Sequence, residues 1–97
     1  MSAKFNLGRL VATPGAIRVL ADAQQTPTHF FALHVNGDWG ELDAEDRRSN
    51  DRAIAHEGHL DRQQRVFSSY LTVNKVKLWV ITEWDRSVTT ILLPEEY

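Results

Sequence analysis

The sequence predicts an α+β domain in which two to three N-terminal helices pack on a C-terminal three-stranded antiparallel sheet, a meander, with residues 1–97 forming one unit. Two observations carry that reading. Two Thr-Pro pairs each open a stretch of apolar residues at helical spacing, and from Arg65 onward the period switches to the alternation of strands. Size and composition agree. A chain of 97 residues with 42% hydrophobic and 25% charged residues supports a single core and does not resemble disordered or membrane chains.

A short apolar lead (Phe5, Leu7, Leu10, Val11) precedes Thr13-Pro14, where a hydroxyl N-cap is followed by a proline suited to the first helical position. Ala16, Ile17, Leu20 and Ala21 recur at helical spacing until Gln24-Gln25-Thr26 interrupts them. Thr26-Pro27 repeats the signal, Phe30, Phe31, Leu33 and Val35 follow, and Asn36-Gly37 supplies a stop. The residues between the two openings do not match, so the repeated feature is capping chemistry and not an internal duplication. In Asn36 to Gly40, two glycines flank Trp39, which reads as a tight loop with a structural ring plugged into the fold. Asp43 with Asp46 looks like a capping pair for a third helix from about Ala44 to Ala55, whose apolar content, Ala53 and Ile54, makes it the most solvent-facing of the three. His56 to Gln64 lacks apolar periodicity and reads as a loop.

Val66 to Val73 is rich in β-branched and aromatic residues, and Asn74-Lys75 reads as a two-residue hairpin turn into a return strand, Val76 to Thr82. That strand places Val76, Leu78 and Val80 on one face and Lys77, Trp79 and Ile81 on the other. Trp84 to Ser87 turns the chain into Val88 to Leu93, and Pro94 ends pairing because it has no N–H to donate.

Charge and composition exclude several function classes. A formal net charge of -2 and a pI near 6.0 provide no large positive field, which disfavours direct binding of a nucleic-acid backbone. The absence of cysteine excludes disulfides, thiolate metal sites and cysteine nucleophiles, and fits a reducing cytoplasm. Met1 to Gly8 does not read as a signal peptide and no apolar run approaches a bilayer span, so a cytoplasmic protein without a membrane partner is expected. No Gly-rich phosphate loop, nucleophile elbow, HExxH or paired CxxC motif is present, and no cofactor is implied.

Four groups of residues are candidates for chemistry. His56, Glu57, His59 and Asp61 are of metal-ligating type, but a structural site needs four ligands in fixed geometry, so the segment reads first as a solvated polar loop with no metal. His29 and His34 lie five apart on the second helix, roughly 140° away from one another, and make poor joint ligands. His34 sits near a helix C-terminus, where a cation is favoured. Glu83, Asp85 and Arg86 stand at the end of an apolar strand and in its turn, where a structural ion pair competes with a functional role. The acidic residues Asp43, Glu45 and Asp46, with Trp79, Trp84, Asp85 and Arg86, form the candidate interaction set, since aromatic residues are enriched in interface cores.

His34-Val35 through Gly40, Leu42-Asp43, Glu45-Asp46, Asn50, Ser69-Tyr70, Leu78 to Glu83, Asp85-Arg86-Ser87 and Thr89 to Tyr97 carry a resemblance across nearly the whole chain outside His56 to Gln64. The chain resembles a family of small bacterial proteins carried on plasmids, prophages and other mobile elements, in which a small residue usually stands at the position of Trp84. The resemblance implies a setting and no catalytic residues.

Two functional classes follow. The first is a non-enzymatic accessory protein of a mobile element that docks on another protein, a host or phage complex, with inhibition of a restriction or CRISPR effector as one concrete form. A homodimer, acting structurally, is compatible with it. The second is a small ribonuclease toxin, by analogy with the helix-then-meander arrangement of barnase and RelE-like enzymes, with Glu83, Arg86, Arg65 and His34 as acid, base and cationic groups.

Overall fold

A computed structural model describes residues 3–59 and 62–97. Three helices, α1 (Pro14–Ala23), α2 (Pro27–Val35) and α3 (Ala44–Ala55), precede the strands β2 (Val66–Leu71), β3 (Lys77–Thr82) and β4 (Val88–Leu92), as the α+β reading requires. The sheet is not a three-stranded meander. A fourth strand, β1 (Arg9–Ala12), lies ahead of α1 and pairs in parallel with β4, so the sheet is mixed, with order β1-β4-β3-β2. Leu10 and Val11 of the apolar lead lie in this strand, and Phe5 and Leu7 precede it. It was illegible locally because four residues carry too little alternation to announce a strand, and the partner, Val88 to Ile91, is 79 positions away.

Helix starts follow the capping chemistry. The Thr13 hydroxyl accepts from the Ala16 N–H with Pro14 in the first turn, and Asp43 accepts from the Asp46 N–H at 2.8 Å. Thr26 holds extended backbone at the start of α2 without a side-chain cap, so there Pro27 alone marks the boundary. A second carboxylate serves α1 from across the chain. Glu96, in a single 3-10 turn (Pro94–Glu96), accepts from the Thr13 hydroxyl and from the Gly15 N–H at 3.1 Å, tying the C-terminal end to the helix N-terminus.

The hairpin between β2 and β3 is longer than the two-residue turn expected. Thr72 N–H donates to the Val76 carbonyl, the Thr72 hydroxyl accepts from the N–H groups of Asn74 and Val76, and Lys75 takes the left-handed position at φ 65°. Register then fixes the faces. Val66, Ser68 and Tyr70 align with Thr82, Val80 and Leu78, and Val80 and Thr82 with Ile91 and Thr89. These residues point toward α1 and α2, where Ala16, Leu20, Phe30 and Phe31 complete the main core. A second cluster, Phe5, Trp39, Leu42, Ala53 and Val66, fills the space beside α3, and Trp39 is the buried ring the loop composition implied.

Helix α3 lies along the outer edge of β2. Buried Asn50 donates to the Phe67 carbonyl at 2.6 Å and accepts from its N–H at 3.1 Å, while the Ser69 N–H donates to Trp39 and the Glu41 N–H to Ser69. The edge of β2 is thereby satisfied at Phe67 and Ser69 and closed to strand pairing there. Gly40, at φ 73°, is required there, because a Cβ would collide with the Ser69 carbonyl and the Tyr70 ring.

Candidate functional site

Three polar constellations emerge: two share contact with Phe5, and strand alternation places the third on the opposite side of the sheet. The first is sealed between sheet and helices. His34, 0% exposed, places Nδ1 2.5 Å from the Ser68 hydroxyl and Nε2 2.9 Å from that of Thr82; Thr82 meets Thr89 at 2.6 Å, and Thr89 donates to the Leu7 carbonyl at 2.6 Å. One acceptor fixes every proton in the chain. The carbonyl can only accept, so Thr89 spends its one proton there and accepts from Thr82, which accepts from His34 Nε2–H, leaving Nδ1 to accept from Ser68. The edges of Phe5 and Trp39 close the ring in at 5.2 and 5.9 Å between centroids. Burial, with the Arg86 charge as a second cause, drops the imidazole pKa to about 3. His34 is thus a neutral buried group and not the helix-terminal cation expected from its position. Its pairing with Ser68 has the form of a base and nucleophile, but Ser68 is also 0% exposed, so no substrate reaches either atom.

The second constellation centres on Arg86, 8% exposed and left-handed at φ 60°. Its Nε and Nη2 donate to the Glu57 carboxylate, at 3.0 and 2.7 Å to Oε1, and Nη1 donates to the carbonyls of Gln64, Glu83 and Trp84 at 2.7, 3.0 and 3.3 Å. The Phe5 ring lies 5.6 Å from the guanidinium carbon. The residue clamps the loop after α3 to the β3–β4 turn. The partner is Glu57, from the segment considered for metal binding, and not the neighbouring Glu83, whose backbone alone is used. Asp61 of that segment lies outside the described residues, and among the described residues no group of three or more His, Cys, Asp or Glu is arranged to hold a metal. Asp85 accepts from the Ser87 N–H at 3.0 Å, and its hydrogen bonds with Ser87 hold the carboxyl below the usual carboxylate range.

The third lies on the opposite face of the sheet, where the C-terminal 3-10 turn packs beside β3. Phe67 and Trp79 meet edge to face at 5.2 Å, Trp79 meets Tyr97 at 5.8 Å, and Arg65 sits 5.8 Å over the Phe67 ring while donating to the Tyr97 hydroxyl at 3.2 Å. Tyr97 is 74% exposed. At the β2 end of this face a groove of about 290 Å³ runs between the Phe67–Trp79 pair and the start of α3, lined also by Glu41, Asp43, Asp46 and Lys77.

Of the interaction residues read from the sequence, the structure brings together Asp43, Asp46 and Trp79. Glu45 is exposed in the first turn of α3 outside the groove lining, Trp84 (53% exposed) and Asp85 stand in the β3–β4 turn beyond the end of β3, and Arg86 is buried. The four residues of the nuclease reading are separated as well. His34 faces the helices, Arg65 the opposite face, and Arg86 is committed to Glu57, with Glu83 exposed at the strand end. Sequence reasoning missed Ser68 and Thr82, although the alternation that places Val66, Tyr70, Leu78 and Val80 inward also places these hydroxyls there. Phe67 and Lys77 were missed as groove residues because their proximity depends on how α3 crosses the β2 edge. Among the described residues no helix is long and apolar enough to cross a membrane. No protein-family model matches the chain, and neither a curated protein nor a solved structure matches it.

Proposed function

We propose that the chain is a non-enzymatic docking protein that binds another protein through the face of its sheet opposite α1 and α2, as an accessory factor of a mobile element acting on a host defence or regulatory complex. The observation that carries this reading is the aromatic string Phe67–Trp79–Tyr97 on the sheet face opposite α1 and α2, in which Phe67 and Trp79 are half-buried and Tyr97 is exposed. Aromatic residues of this kind, with an arginine at their rim, are what protein interfaces concentrate. The nuclease alternative has less support, since its histidine is sealed from solvent and its arginine is consumed by Glu57 and three carbonyls.

Affinity capture from a bacterial host expressing tagged chain tests the proposal, run beside a Trp79→Ser, Tyr97→Ser variant whose fold is checked by circular dichroism. Stoichiometric capture of one protein by the parent, lost in the folded variant, is expected, with normal growth and intact RNA. Capture indifferent to the variant overturns docking through this face; growth arrest with fragmented RNA and no partner moves the function to a ribonuclease.

A further inference from the structure

Resting on the docking reading, we infer that the groove at the β2 end of this sheet face seats a cationic side chain of the partner protein, an arginine in preference to a lysine. The face itself is apolar and aromatic, and charge complementarity selects its occupant. Three carboxylates, Glu41, Asp43 and Asp46, line one wall, while Lys77 is the single cation among the described lining residues. Asp43 caps α3 through Oδ1, and among the described residues its Oδ2 has no hydrogen-bond partner. Arg47, the nearby cation on α3, donates to the carbonyls of Leu42 and Gly40, at 2.9 and 2.8 Å, and so spends its donors on backbone beside these carboxylates.

The same face shows the required chemistry within the chain. Arg65 rests its guanidinium over Phe67 and donates to Tyr97, so a ring of this string already takes one arginine. A planar guanidinium stacks on an indole and presents parallel donors to a carboxylate, which a lysine ammonium does not. Phosphate-bearing ligands face repulsion from the acidic wall, so a nucleic acid is the wrong class of partner for this groove.

The probe is the peptide acetyl-Gly-Arg-Gly-amide, titrated into the full chain and followed by heteronuclear NMR, with citrulline and glutamate versions of the same peptide as controls. Shifts are expected at the Trp79 indole N–H and the Ser69 and Asp46 amides, with the citrulline peptide binding about fivefold more weakly and the glutamate peptide not at all. An Asp43→Asn, Asp46→Asn variant, in which the amide side chain introduced at the N-cap position still caps α3, loses about fivefold in affinity. Lys77→Ala tightens binding, a direction that loss of structure cannot produce. Equal binding of the arginine and citrulline peptides, shifts mapping elsewhere, or no shifts at tens of millimolar peptide overturns the inference. Failure here with capture still dependent on Trp79 and Tyr97 leaves the docking reading standing; capture independent of that face removes the docking reading whatever the peptide does.

Discussion

Acidification provides a test of the His34 network that needs no partner. In the folded chain the imidazole is neutral down to a pKa of about 3, whereas in the unfolded chain it takes up a proton near its ordinary value of 6.5. Between those two values the unfolded state binds one more proton than the folded state, so stability falls as pH falls, by about 1.4 kcal/mol per unit. Integrated from pH 7, the loss is about 2 kcal/mol at pH 5 and about 3 kcal/mol at pH 4, a large part of the total of a domain this size. Depressed carboxylates act lower down. Asp85 and Glu96, both held below their ordinary values of 3.8 and 4.5, contribute stability above those values and lose it as pH falls through their folded ones. The window from pH 7 to 5 therefore belongs to His34. Urea unfolding followed by tryptophan fluorescence at pH 7, 6 and 5 reads the slope in the parent and in His34→Gln. The variant is less stable at pH 7 but nearly flat across the window. Equal slopes in the two proteins would refute the argument, as would an NMR spectrum at pH 7 that places the imidazole proton on Nδ1 instead of Nε2.

Three further outcomes follow from the same contacts. Arg86→Ala should cost about 3 kcal/mol, the lower end for a broken buried pair because Glu57 keeps partial solvent contact, and Arg86→Lys should recover little since one ammonium cannot replace a fork shared among four acceptor residues; chemical denaturation of both variants checks this. Asn50→Ala should cost about 2 kcal/mol and speed hydrogen exchange at the Phe67 amide far more than at Val80, because it strips both edge bonds from β2; unchanged protection at Phe67 would contradict the assignment. Glu96→Gln should lower the melting temperature and accelerate exchange at Gly15 without disturbing β3, as expected if the carboxylate caps α1 from the far end of the chain.

What the sequence by itself determined is whatever depends on neighbours a few positions apart. Thr13-Pro14, Thr26-Pro27 and Asp43 with Asp46 set the three helix starts because caps and prolines act within one turn, and the alternation of Leu78, Trp79 and Val80 assigned the faces of β3 because successive side chains must point oppositely. The tertiary structure alone decided what depends on distant partners. β1 exists as a strand because β4 offers it a ladder, and Gly8, at φ 67°, lets the chain pass against the carbonyls of Arg86 and Ser87. Arg86 found Glu57, 29 positions back, where charge spacing pointed to Glu83, because the turn holds the guanidinium inward at a left-handed φ that the sequence did not announce. His34 became neutral because Ser68 and Thr82, from two different strands, supply one donor and one acceptor where solvent is excluded, and desolvation then outweighs any attraction of the helix C-terminus for a cation. Local chemistry chooses the elements; burial, which only the assembled layers define, chooses the charge state and the availability of each side chain.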